Sequence, residues 1–119
     1  MACRIAVVDD DPRLLESLEN LFESAGYAVC VFPSASGLVE AGFADIDCLV
    51  TDIGLPGMDG FELHELVKRV RRDLPVFLIT GRDETGDRQR ARAADIRGVF
   101  RKPFDGPALL AAVGDAVRS

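Results

Sequence analysis

Five short apolar runs recur along this chain: RIAVV (4–8), YAVCVF (27–32), CLVT (48–51), PVFLIT (75–80) and GVFR (98–101). Between and after them lie stretches whose apolar residues return at helical spacing. This alternation constrains the fold more than any single residue does. Strands joined through helices form a parallel sheet by right-handed crossovers, with helices packed on both faces. The expected architecture is therefore α/β, a doubly wound five-stranded parallel sheet carrying five helices. The unbroken apolar character of PVFLIT predicts a strand buried on both faces.

Local signals place the helices. In DPRLLESLENLFESAG, Leu14, Leu15, Leu18, Leu21, Phe22 and Ala25 share one face. Asp11 suits the N-cap, Pro12 the first helical position and Gly26 the residue just past the end. A weaker helix is expected over about 36–43. Phe61, Leu63, Leu66, Val67 and Val70 define the inward face of a third. Residues 85–94 are helix-compatible but mostly charged, with only alanines for packing. Asp105 caps a last helix that turns Leu109, Leu110, Val113, Ala116 and Val117 inward.

With 119 residues, 48% apolar and 29% charged, the chain reads as one globular domain over 1–119. It shows no run long enough to span a bilayer and no signal-peptide pattern, so the cytoplasm is the expected location. Cys3, Cys30 and Cys48 are odd in number and lack CxxC spacing, which favours buried reduced thiols over a disulfide framework. A net charge of −6 argues against direct nucleic-acid binding or attachment to an anionic membrane. Arginines nevertheless crowd KRVRR (68–72) and the last third of the chain. Solvated helix faces explain them most simply, and a face that prefers acidic partners is the sharper reading. His64, the single histidine, reads as exposed and inert on a charged helix.

Ligands of such sheets collect beyond the C-terminal ends of the strands, near the switch point of the strand order. Reading those ends in turn gives Asp9 and Asp10, then Asp52, Thr80 and Lys102. Carboxylates this close are unfavourable unless a cation shares their charge. Oxygen ligands without histidine or thiolate point to Mg²⁺ or a relative such as Mn²⁺. A carboxylate held in this way can form an aspartyl phosphate, with Lys102 and Thr80 contacting the phosphoryl oxygens. Gly54, Gly57 and Gly60 let the backbone turn closely around Asp52, and a carbonyl there is available to the metal.

The acidic pair, the TDIGLPGMDG loop, the LITG strand end and the KPF after the fifth strand resemble, in order and spacing, the receiver domain of two-component response regulators. The resemblance covers essentially the whole chain. It implies a flavodoxin-like (βα)5 fold of strand order 2-1-3-4-5 and a phosphorylation-dependent switch in phosphorelay signalling. Asp52 would be the phospho-acceptor, with Asp10, Asp52 and the Gly54 carbonyl on Mg²⁺ and Asp9 acting through metal-bound water. Thr80 would be the switch hydroxyl, Lys102 the cationic phosphate contact, and Lys102-Pro103 a cis bond. The phosphoryl donor would be a sensor histidine kinase or phosphotransfer protein. The domain would not be an enzyme beyond assisting its own phosphorylation and dephosphorylation. Downstream contact, to a protein partner or a second copy, would use the face of the fourth helix, fifth strand and fifth helix.

The sequence also departs from the family. Val99 stands where receivers usually place the aromatic of the switch region, and Phe100 should face the other side of its strand. Asp95 stands where a glycine is common. Gly54 and Arg82, each two residues past Asp52 and Thr80, would flank the path of water to the phosphoryl group. Two other readings compete: a pseudo-receiver that only binds proteins, and a phosphotransferase or phosphatase using Asp9 and Asp11 as a D-x-D pair.

Overall fold

Parallel pairing joins the strands in the order β2-β1-β3-β4-β5, with β1 Arg4–Val8, β2 Ala28–Phe32, β3 Cys48–Asp52, β4 Val76–Thr80 and β5 Gly98–Arg101. The computed structural model describes residues 3–81 and 85–118. Its helices are α1 Pro12–Ser24, α2 Ala35–Ala41, α3 Gly60–Val70, α4 Thr85–Ala93 and α5 Gly106–Arg118. The doubly wound α/β fold expected from the run pattern is the one observed. Every residue of β3 and β4 is buried, as expected of strands covered on both faces. Among the described residues no helix is long and apolar enough to cross a membrane.

Alternation along each strand splits the core in two. Ile5, Val7, Val50, Phe77 and Ile79 pack against Leu15, Leu18 and Phe22 of α1 and Leu109 and Val113 of α5. Ala6, Val8, Leu49, Val76 and Leu78 pack against Leu38 of α2, Phe61, Leu63 and Val67 of α3, and Ala91 of α4. Val99 joins this second cluster, whereas Phe100 packs in the first, its ring centroid 6.2 Å from that of Phe77.

The helix ends follow their sequence signals. The Asp11 carboxylate accepts from Arg13 N–H and caps α1, and the Asp105 carboxylate caps α5 through Ala108 N–H. At α3, Asp59 and Glu62 form a capping box. Helix α1 closes in a Schellman motif, with Tyr27 N–H bonding Phe22 O and Gly26 at φ +92°. Helix α4 closes in the same way through Ile96 N–H to Ala91 O, with Asp95 at φ +61° in the place usually held by glycine.

Several expectations need correction. His64 is buried, with 3% exposure, because its position on α3 turns toward the core between Phe61 and Val67. Val70, the last residue of α3, is 66% exposed, whereas Val67 one turn before it is fully buried. Ala25 is exposed at the α1 C-cap, and Cys30, on a strand at the sheet edge, is only half-buried. Within KRVRR, Arg71 is half-buried rather than fully solvated. Its guanidinium donates to the carbonyls of Phe43, Ala44 and Ile46 at 2.8, 3.3 and 3.2 Å, tying down the segment before β3.

Candidate functional site

The switch point of this strand order lies between β1 and β3, which leave it toward opposite edges of the sheet. Asp9 follows β1 and Asp52 ends β3, so the topology alone brings their carboxylates together. Asp9 is anchored by its N–H to Phe32 O at 3.1 Å and is 0% exposed; Asp52 is 7% exposed. Asp10, next in the chain, is exposed at the rim. Oxygens of these three carboxylates lie within 4.8 Å of one another.

Lys102 closes the cluster from the far side of β4. Its backbone N–H bonds Thr80 O at 2.7 Å, and Lys102-Pro103 is cis. Its Nζ stands 3.0 Å from Asp9 Oδ2 and 3.3 Å from Asp52 Oδ2. Burial would lower the ammonium pKa, but the Asp9 and Asp52 carboxylates together outweigh it and hold Lys102 above its ordinary value. Asp9 shifts upward: burial is the largest cause, with the Asp52 charge adding to it, against Asp11 N–H and Lys102. Thr80, 4% exposed, ends β4 at the same edge.

The loop after Asp52 is shaped by close approach. A Cβ on Gly60 would sit 2.5 Å from the Asp52 carbonyl oxygen and 2.9 Å from Ile53 Cα, so α3 begins directly against the strand end. Gly57 takes φ +77°, and Gly54 N–H reaches Asp52 Oδ1 at 3.3 Å. The same Asp52 carboxylate therefore meets an amide on one oxygen and an ammonium on the other.

The donor set suits a hard divalent cation. Asp9 Oδ1 accepts Asp11 N–H, but buried Asp9 Oδ2 has no directed hydrogen bond among the described residues; its contact with Lys102 is an ion pair only. One buried carboxylate oxygen is thus left with coordination capacity, beside two further carboxylates and, among the described residues, with no histidine or cysteine in the cluster. Asp11, the second acid of the D-x-D reading, is exposed and caps α1 through Oδ1. Arg82 lies outside the described residues.

Asp9, Asp10, Asp52, Thr80 and Lys102, expected at one edge of the sheet, lie together there. The sequence carries no sign of the contact of Arg90 with Phe61, whose ring centroid lies 4.2 Å from the guanidinium carbon. Arg90 looked like one more charge on a charged helix, and no spacing in the chain links it to a residue 29 positions earlier.

A parallel sheet with carboxylates and a lysine at its switch point defines a class of acidic-pocket α/β domains. Residues 5–114 match the response regulator receiver domain family, and the chain belongs to that family. It is 32% identical over 116 residues to the transcriptional regulatory protein FixJ of Bradyrhizobium diazoefficiens, covering 96% of this chain and 56% of that protein. FixJ of Azorhizobium caulinodans is 36% identical, over 92% of this chain and 52% of its own length. The chain thus spans about half the length of these relatives. Among solved structures, the BeF3-activated DrrB receiver domain superposes with a TM-score of 0.93 at 26% identity, covering 100% of both chains. The response regulator StyR superposes at 0.89 and 34% identity, over 99% of this chain and 60% of the other. Receiver domains bind Mg²⁺ at an acidic pocket, and the Asp9, Asp10 and Asp52 cluster is the corresponding feature here.

Proposed function

We propose that residues 1–119 form one receiver domain, phosphorylated on Asp52, that works as a two-state switch rather than as an enzyme on other substrates. The observation that carries this reading is the placement of the Asp52 carboxylate: nearly buried, 3.3 Å from Lys102 and grouped with Asp9 and Asp10. A carboxylate oxygen of Asp52 attacks the phosphorus of a phosphohistidine on a sensor kinase or phosphotransfer protein. The O–P bond forms as the N–P bond breaks, and the imidazole leaves with its electron pair.

Lys102, kept protonated by its two carboxylate neighbours, contacts the transferred phosphoryl oxygens and balances their charge. Asp9, Asp10, Asp52 and the Gly54 carbonyl would hold Mg²⁺, which when bound offsets the negative charge of both the carboxylates and the phosphoryl group. Thr80 offers its hydroxyl from the end of β4, next to Lys102 along the edge. Phosphorylation then shifts an existing equilibrium, in which Thr80, Val99 and the face of α4, β5 and α5 change together. Arg88 and Arg92 are exposed on that face, which favours an acidic partner surface or a second copy of the chain. The domain would act in the cytoplasm alongside its kinase, and its net charge of −6 argues against direct nucleic-acid binding.

The test is intact mass after incubation with acetyl phosphate, with and without Mg²⁺, for wild type and Asp52→Asn. One labile phosphoryl group that needs both Mg²⁺ and Asp52 is the expected result. A wild type that stays unmodified with this donor and with kinase phosphohistidine would overturn the reading in favour of a pseudo-receiver binding module.

A further inference from the structure

The sequence of helix α4, TGDRQRARA, supplies Ala91 as the only buried apolar residue among its described positions, and Asp87 is buried beside it. Arg88 and Arg92 are exposed, but Arg90 is committed: its guanidinium covers the Phe61 ring at 4.2 Å. That ring is 2% exposed and sits in the cluster that also holds Ala91, Ile96 and Val99. Phe61 directly follows Gly60, the residue packed against the Asp52 carbonyl with no room for a Cβ. Gly60 N–H also bonds Ile53 O at 2.9 Å, so the start of α3, and Phe61 with it, is tied directly to the Asp52 strand end.

We propose that the Arg90–Phe61 stack is a conformational coupler, transmitting the state of the Asp52 loop to α4 through the start of α3. Cation–π contacts strengthen when the ring is desolvated, and here the ring is buried while the cation lies on its outer side. On a helix with one buried apolar residue among its described positions, such a contact adds directly to what fixes its position. The coupling requires the stack to differ between the two states of the switch, and it is reciprocal: loosening α4 alters binding at Asp52 by the same factor. This inference rests on the receiver reading of Asp52.

The experiment uses beryllofluoride with Mg²⁺ as the phosphoryl probe and backbone NMR on the full chain. Ile53 and Gly54 report the loop, and residues 86–93 report α4. Both sets are expected to shift in wild type. In Arg90→Gln, an exposed-helix substitution expected to fold normally, the loop shifts persist while those of α4 fall at least twofold. Probe affinity changes by about twofold to fivefold. Arg90→Lys, which keeps the charge but stacks less well, lies between the two. If Arg90→Gln matches wild type in α4 shifts and affinity, the coupler is overturned while the receiver reading stands. A wild type whose loop responds without α4 has the same meaning. If the wild-type loop itself does not respond, both readings fall.

Discussion

Lys102 Nζ lies nearer to Asp9, at 3.0 Å, than to Asp52, at 3.3 Å. The lysine is thus the nearer counter-charge of the fully buried carboxylate, and in the proposed site a divalent cation drawing on that Asp9 oxygen, directly or through water, would have the lysine as its competitor. Lys102→Met removes that competitor and leaves two acids facing one another. The metal-free variant should be destabilised by about 1–3 kcal/mol, less than for a fully buried pair because Lys102 is partly solvated. Its Mg²⁺ affinity should rise by roughly threefold to tenfold. Urea unfolding and calorimetric Mg²⁺ titration measure the two effects. A weaker Mg²⁺ affinity in the variant would show that Lys102 does not compete for this oxygen.

Gly60 and Gly54 make a controlled pair. A methyl on Gly60 meets backbone atoms at 2.5 and 2.9 Å, whereas one on Gly54 meets nothing within 4 Å. Gly60→Ala is expected to cost about 1–3 kcal/mol, as overpacking against backbone does, because no side chain there can move aside. Gly54→Ala should change stability by no more than about 0.5 kcal/mol. Equal effects of the two substitutions on the urea midpoint would remove close approach as the reason for glycine at position 60.

The legibility of this fold had a physical basis that reached some residues and not others. Runs such as PVFLIT announce themselves because both faces of a central parallel strand must be apolar. The residues ending each run could then be assembled into one edge by topology alone. Pairings across elements leave no such trace. His64 lies one turn from Phe61 and one from Lys68, and a polar residue between ring and cation reads as solvent-facing although it is buried here. Arg71 and Arg90 look equivalent as charges, yet one satisfies three carbonyls and the other covers a ring. Val70 has the period of an inward residue but is the last residue of α3 and stands exposed.

Asp95 carries a left-handed backbone at φ +61° in a Schellman closure that glycine fills at α1. The cost of a Cβ there is offset in part by the stiffer unfolded chain. Asp95→Gly should accordingly stabilise the domain by about 0.5 kcal/mol, and Asp95→Ala, lacking the aspartate's tolerance of this region, should destabilise it by about 1 kcal/mol. Thermal unfolding of both variants tests the ordering. Finding the alanine variant more stable than the glycine one would refute the strain argument.

His64 makes stability depend on pH. Neither ring nitrogen has a hydrogen-bond partner among the described residues. Burial lowers the imidazole below its ordinary 6.5, the Lys68 ammonium adds to that, and Asp95 and Glu65 oppose it. The folded state thus binds the proton more weakly than the unfolded chain does. Stability is complete above the unfolded value of 6.5 and is lost as pH falls from there toward the folded value, at a limiting slope of about 1.4 kcal/mol per pH unit. His64→Leu removes two unsatisfied buried nitrogens along with the titration, so at pH 8 it should be near neutral in stability. Below 6.5 the leucine variant should become progressively the more stable of the two. Urea unfolding of both proteins at pH 8, 6.5 and about 5.5 isolates this term, because the carboxylates contribute equally to each. A stability difference that stays constant across that range would mean the imidazole does not titrate with folding.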